Sequence, residues 1–194
     1  EDSAVLGNTT VGVLVARGGT RPGFTTVRNS TVRDTRVNPA VDGAARGIEV
    51  GKGGTLDVEG CTVTGNAEHE LLVTEGANAR ISNTTTIGAL DTASPSGTGL
   101  LVGYDAGAVL RSVAFVRPRA TGIAANNGGV VQVDDSLVTD VVLSTVAGST
   151  NLTSAFGISQ KPGTSLTMNR SMVRRSAGVA VLLSPAQATL TDSV

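Results

Sequence analysis

Two adjacent carboxylates, Asp134 and Asp135, are the residues of this 194-residue chain best suited by type to acid–base chemistry. Hydrolysis of a glycosidic bond needs two carboxyl groups that project to one face at a defined separation. Neighbouring residues of a strand point to opposite faces, so this pair could act together only where the chain turns a corner. The sequence therefore predicts no catalytic residue outright. Asp134 and Asp135 are its candidates, and the alternative is a pair of turn residues.

The only histidine, His69, lies between Glu68 and Glu70. An imidazole beside two carboxylates could ligate a metal ion, but three residues adjacent in sequence do not converge easily on a tetrahedral ion. We therefore interpret the three as polar surface residues, and we predict no metal site and no cofactor.

Arginines gather in two stretches of the chain. If neighbouring repeats stack, they could form a basic patch near one corner, suited to an acidic glycan or a lipopolysaccharide. The chain as a whole has 15 basic and 16 acidic residues, which favours a solvated corner and argues against nucleic acid as a partner. The arginines are Arg111, Arg117, Arg119, Arg170, Arg174 and Arg175.

A repeated pattern must position all of these residues. Each repeat reads as Gly, a first short strand, a Gly-rich turn, a second strand, two polar residues, and Ser, Thr or Cys before a third strand. The clearest copies are GIEVGKGGTLDVEGCTV at 47–63 and GIAANNGGVVQVDDSLV at 122–138. Aligning the end of the second strand gives a unit of about 23 residues. The aligned positions are Val27, Val58, Ile81, Leu110, Val133, Met168 and Leu190.

A unit this short cannot bury its own apolar face, whereas stacked copies about 4.8 Å apart can. The sequence thus predicts an all-β, right-handed parallel β-helix of about seven coils. Gln160 falls in an otherwise aliphatic inward column of the first strand, where we expect it to have a hydrogen-bond partner or to widen the coil locally. Asp57 and Arg80 fall on neighbouring coils, where we expect an ion pair.

Alternate repeats are longer because they carry inserted loops, at 36–46, 88–98 and 140–156. Every insertion falls between the third strand of one repeat and the first strand of the next. Four or five outward positions of the first strand are apolar, and we expect the loops to fold over this apolar stripe. The stripe positions are Leu14, Glu49, Leu72, Leu101, Ala124, Ser159 and Ala180.

Loops carried on a rigid scaffold are where recognition usually takes place. We therefore predict that a binding site, if the chain has one, lies at the polar edge of these loops. The residues predicted to bind a ligand there are Asp42, Arg46, Asp91 and Tyr104.

The repeat frames quoted above resemble the right-handed parallel β-helix repeat superfamily, also called pectate-lyase-like, over residues 11–194. Its members include polysaccharide lyases, polygalacturonases, phage tailspikes and autotransporter passengers of the pertactin kind, and the low aromatic content is most similar to the last group. The resemblance implies an extracellular or cell-surface protein of bacterial type. Polygalacturonases carry an adjacent Asp pair, but here no Gly-His follows it. Lyases of the superfamily hold Ca²⁺ with clustered carboxylates, which the outward columns here do not supply.

Three functions stay open at this point. The first is a non-catalytic scaffold or adhesin-like segment that presents loops to a glycan or a surface protein. The second is a segment of a polysaccharide lyase or glycoside hydrolase, and the third is a glycan-binding module without catalysis.

The repeat runs to both ends of the sequence, so we expect one β-helix domain over 1–194 that is a fragment of a longer protein or associates end to end. No apolar run approaches the roughly 18–20 residues of a membrane span, and no signal peptide opens the chain.

Overall fold

The computed structural model describes residues 1–16, 23–38, 40, 45–88, 97–143, 155–184 and 187–193. This part of the chain forms 21 strands in three parallel sheets of seven strands each. Among the described residues, no helix has the length and apolar character needed to cross a membrane.

The sheets are named after the strand of the repeat that forms them. The first-strand sheet contains β2 (Thr10–Ala16), β5 (Ala45–Gly51), β8 (His69–Val73), β11 (Thr98–Val102), β14 (Thr121–Ala125), β17 (Phe156–Gln160) and β20 (Val179–Leu183). The second-strand sheet contains β3 (Phe24–Arg28), β6 (Thr55–Glu59), β9 (Asn78–Ser82), β12 (Gly107–Arg111), β15 (Val130–Asp134), β18 (Ser165–Asn169) and β21 (Gln187–Thr191). The third-strand sheet contains β1 (Ala4–Leu6), β4 (Thr31–Arg33), β7 (Thr62–Thr64), β10 (Thr85–Ile87), β13 (Ala114–Val116), β16 (Leu137–Thr139) and β19 (Met172–Arg174).

Hydrogen-bonded neighbours in every sheet are three strands apart along the chain. The chain therefore passes once through each sheet per coil, and the predicted all-β parallel β-helix of about seven coils is confirmed. The predicted register of the second strand is confirmed in every coil, from Val27 opposite Val58 to Met168 opposite Leu190.

The predicted register of the first strand is wrong in the last coil. Ile158 pairs with Val181 and Gln160 with Leu183, two residues beyond the expected partners Val179 and Val181. The outward stripe accordingly ends on Leu182 rather than Ala180.

Aliphatic side chains fill the interior. Val50, Leu100, Leu110 and Phe115 are each fully buried, as the inward columns predict. Gln160 is also buried, and its Nε2 donates to the Gln187 carbonyl over 2.9 Å, which confirms the expected partner.

The corner between the second and third strands is built from two residues per coil. The first has a left-handed backbone, as at Asn83 (φ 49°) and Asp135 (φ 52°). In most coils the second carries a small polar side chain that links coils: the Ser136 Oγ donates to the Asp134 carbonyl and accepts from the amide of Val113, the apolar residue at this position of its coil. Cys61 occupies this position in its coil and is buried, with its Sγ donating to the Glu59 carbonyl.

The glycine that opens each repeat forms an inward column at the corner between the third and first strands. Gly99 and Gly122 are opposite each other in the parallel register, and Gly47 belongs to the same column. An added Cβ on Gly99 would lie 2.6 Å from the Gly122 carbonyl oxygen, so at this glycine the stacked backbones leave little room for a side chain.

Glu70 occupies the glycine position of its coil. Its carboxyl accepts hydrogen bonds from the backbone and the side-chain amide of Asn66, and only 2% of the residue is exposed. His69 is 8% exposed. The prediction that these two are surface residues is therefore wrong, because Glu70 turns into the corner and His69 lies between Arg46 and Thr98 of the neighbouring coils.

Candidate functional site

An acidic cleft of about 380 Å³ lies on the outer face of the first-strand sheet. Its walls come from the start and middle of β5 and β8, and its rim comes from the turns that follow β8 and β11. The lining residues are Arg46, Glu49, Glu68, His69, Leu72, Thr74, Glu75, Leu101 and Tyr104. Two of the four residues predicted to bind a ligand, Arg46 and Tyr104, are thus brought together.

Arg46 holds two carboxylates at the base of the cleft. Its Nη1 donates to Glu49 Oε2 over 2.8 Å, and its Nε donates to Glu68 Oε2 over 3.2 Å. The other Glu68 oxygen lies 3.4 Å from His69 Nε2. Because the parallel register sets Arg46 beside His69, a single guanidinium can bridge two coils.

This network decides what chemistry the cleft can perform. Burial alone would raise the pKa of Glu68, but the hydrogen bond and charge of His69 and the charge of Arg46 outweigh it and lower that pKa to about 2. A glycosidase needs one carboxyl that stays protonated at its working pH. Glu68 is ionised there, so it can bind positive charge but cannot serve as a general acid.

The turn after β11 presents Tyr104 at the rim in an unusual backbone conformation. Tyr104 and Asp105 both have positive φ, 56° and 60°, and Tyr104 is 60% exposed. The equivalent turns carry a glycine at the second of these positions, as at Gly76 and Gly128. Two consecutive left-handed residues without glycine store strain, and such strain is characteristic of functional positions.

Asp105→Gly should therefore stabilise the fold by about 1 kcal/mol, because glycine adopts the left-handed region without steric cost. The measurement is the midpoint of thermal unfolding. Asp57→Gly is the matched control, since Asp57 lies inside β6, where glycine should destabilise the strand. Equal destabilisation by both changes would show that Asp105 is not strained.

The two catalytic candidates do not converge. Asp134 Oδ2 accepts from Gln132 Nε2 over 2.7 Å and its Oδ1 from Asn169 Nδ2 over 2.9 Å. Asp135 forms a two-point ion pair with Arg170, at 2.7 and 2.8 Å. Each carboxylate is bound by different partners on its own side of the corner, which is how turn residues at a polar corner behave.

The predicted basic patch is divided by acidic neighbours. Arg170 pairs with Asp135, Arg175 pairs with Asp140, and Arg111 lies 3.9 Å from Asp134. Arg174 donates to Thr139 Oγ1. The remaining members, Arg117 and Arg119, lie just beyond β13. Half of the patch is thereby offset by carboxylates, and a role in binding acidic glycans stays a prediction.

Asp42 and Asp91, the other predicted ligand residues, lie outside the described residues, as do part of the loop at 36–46 and most of the loops at 88–98 and 140–156. Of the apolar stripe, Leu14 is 61% exposed whereas Leu72 is 7% exposed. Whether the loops cover the stripe therefore stays a prediction.

The residues missed in the sequence are Glu49, Glu68 and Glu75. The sequence pointed to two of them: Glu49 is the one charged member of the apolar stripe, and Glu68 directly precedes β8, the strand that pairs with β5 at Arg46. Within the described ranges, no group of three or more His, Cys, Asp or Glu side chains is placed to hold a metal ion.

Comparison with known proteins adds no family assignment. No protein-family model, curated protein or solved structure matches this chain.

Proposed function

We propose that this chain is a non-catalytic β-helical scaffold of a secreted or cell-surface protein, and that its acidic cleft binds a lysine or arginine side chain of a partner protein. The observation that carries the proposal is the exposed ring of Tyr104 beside three carboxylates. Glu49, Glu68 and Glu75 outnumber Arg46 and His69, so the cleft keeps a negative charge even when the imidazole is protonated.

A cationic side chain suits this arrangement on two counts. It can lie over the face of Tyr104, where the ring quadrupole attracts positive charge. It can also reach Glu75, whose carboxylate at the rim has no ion-pair partner among the described residues. Tyrosine and arginine are among the residues that most often dominate binding energy at protein interfaces.

The scaffold supports binding because it is rigid. The turn that carries Tyr104 is hydrogen-bonded to the turns on both sides, from the Gly76 amide to the Tyr104 carbonyl and from the Asp105 amide to the Asn127 carbonyl. Little ordering is then needed on binding, which lowers its entropic cost.

The alternative, a segment of a lyase or hydrolase, would need a carboxyl that is protonated and open to substrate. Glu68 reaches the cleft but is held ionised, whereas burial raises the pKa of Glu70 to about 8 and encloses its carboxyl inside the corner. The two properties occur on different residues, which favours binding over catalysis.

Tyr104 provides the test, because the chain has one Tyr and no Trp, so its intrinsic fluorescence reports on the cleft. Titration with a short arginine-containing peptide should change this fluorescence, and added salt should weaken the effect. Glu75→Gln should raise the Kd about threefold, as expected for a solvent-exposed charge pair.

Glu59→Gln is the matched control, since Glu59 lies on the second-strand sheet and is absent from the cleft. It should leave the Kd unchanged. An equal response to a glutamate-containing peptide of the same length, or equal effects of Glu75→Gln and Glu59→Gln, would contradict the proposal.

A further inference from the structure

We propose that the outer face of the second-strand sheet carries a second binding site, for an uncharged linear oligosaccharide. The site is a groove of about 520 Å³ that runs across neighbouring coils, and it is called here the second-strand groove. The side chains that carry the argument are Phe24, Asp57, Asn78, Arg80, Val130 and Gln132. This inference is independent of the binding proposed for the acidic cleft.

Gly107 opens the groove. It pairs with Asn78 on one side and Val130 on the other, so a position without a side chain interrupts an outward column. A Cβ on Gly107 would lie 2.9 Å from Asn78 Oδ1, which shows that the amide leans into the space left by the glycine. The result is a depression with a polar wall.

Apolar side chains of this column lie at both ends of the second-strand groove. Phe24 is 65% exposed and Val130 is 52% exposed. Four coil steps separate them, or about 19 Å. The C–H face of a pyranose ring can pack on such surfaces, because aromatic and branched aliphatic groups offer large rigid contact area. An extended chain of several sugar units matches this length.

The two opposite charges in the groove, on Asp57 and Arg80, disfavour a charged polymer. Asp57 and Arg80 are register partners on neighbouring coils, but no ion pair or hydrogen bond joins them, so the ion pair expected from the sequence is wrong. By contrast, Arg170 and Asp135 at the nearby corner do pair. The groove thus contains a carboxylate that needs donors and a guanidinium that needs acceptors.

Hydroxyl groups can satisfy both, since each one donates and accepts. An uncharged sugar chain can therefore bond to Asp57 and Arg80 together, and the amides of Asn78 and Gln132 extend the same pattern along the groove. A polyanion would be repelled by Asp57 and a polycation by Arg80.

The test is calorimetric titration with a panel of hexasaccharides: cello-, xylo-, manno-, malto- and chitohexaose, with hexagalacturonate as the charged comparison. At least one uncharged member should bind. Asp57→Ala should weaken binding about tenfold, the value of a hydrogen bond to a charged group. Gly107→Val fills the depression and should weaken binding at least as much by excluding the sugar. Thr167→Ala is the control, because Thr167 continues the Asp57 column beyond Gln132.

Failure of every uncharged hexasaccharide to bind would overturn the inference, and so would tighter binding of hexagalacturonate or unchanged binding after Gly107→Val. Circular dichroism should show that Gly107→Val stays folded, since the new side chain faces outward. The Tyr104 response to the arginine peptide should persist in Gly107→Val, so failure at one site is distinguishable from failure at the other.

Discussion

The wild-type protein should lose stability as the pH rises from about 5 to 8, at about 1.4 kcal/mol per pH unit, and Glu70→Gln should remove most of this loss. Burial raises the pKa of Glu70 to about 8 in the folded protein, although hydrogen bonds from Asn66 act in the opposite direction. In the unfolded chain the pKa is near 4.5.

The sign follows from proton binding in the two states. Between these pKa values the folded protein keeps a proton on Glu70 that the unfolded chain has released, so rising pH favours unfolding. Over the whole interval the loss amounts to roughly 5 kcal/mol. Glu68 acts in the opposite sense: its folded pKa is about 2, so its contribution is present above about pH 4.5 and is lost as the pH falls toward 2.

The measurement is denaturant unfolding followed by circular dichroism at several pH values between about 4 and 8. Glu59→Gln makes the same chemical change on a half-exposed side chain and should keep the wild-type slope. If Glu70→Gln and the wild-type protein lose stability in parallel, then Glu70 is ionised in the folded protein and the Asn66 network must be arranged differently.

The fold could be predicted because its information is local and repeated. A side chain at one position of the repeat meets its equivalents above and below, so columns of Val, Leu and Ile appear in the sequence at a constant spacing. The last coil shows the limit. Val179, Val181 and Leu183 alternate without interruption, and a shift of two residues keeps the same faces inward. Hydrophobic pattern alone cannot distinguish the two registers.

The candidate site was predictable only in part. Arg46 could be found because it ends the insertion at 36–46, where recognition residues are expected, whereas Tyr104 lies at the far end of β11 from the insertion at 88–98. Register fixes which Cα atoms are neighbours but not which side chains meet. Asp57 and Arg80 have the predicted register without the predicted ion pair, because an exposed pair gains little from holding two side chains in one geometry.

Glu70 shows a different limit. Its departure from the glycine of the other repeats is visible in the sequence, whereas its inward direction is not, because strand alternation fails at the corner where the chain enters β8. A charged residue type was therefore placed on the surface, although Asn66 provides a buried partner four residues earlier.

The second large effect concerns the glycine column itself: Gly122→Ala should destabilise the protein by about 3 kcal/mol, the upper part of the range for an overpacked interior. The added Cβ would lie 2.5 Å from the Gly157 carbonyl oxygen and would also overlap the Val138 side chain. Val138 could rotate, but the carbonyl belongs to the next coil and cannot move without breaking the ladder between β14 and β17. The strain should lower the thermal midpoint by about 10 °C.

Gly51→Ala separates this steric effect from the general consequence of replacing glycine. The atom nearest to a Cβ on Gly51 is 3.4 Å away, an ordinary contact, and Gly51 needs no left-handed backbone. Alanine should be neutral or stabilising there, by up to about 1 kcal/mol, because it restricts the unfolded chain. If Gly122→Ala and Gly51→Ala unfold at the same temperature, stacked coils can separate enough to admit a methyl group. The glycine that opens each repeat would then be required by its turn rather than by the packing of one coil on the next.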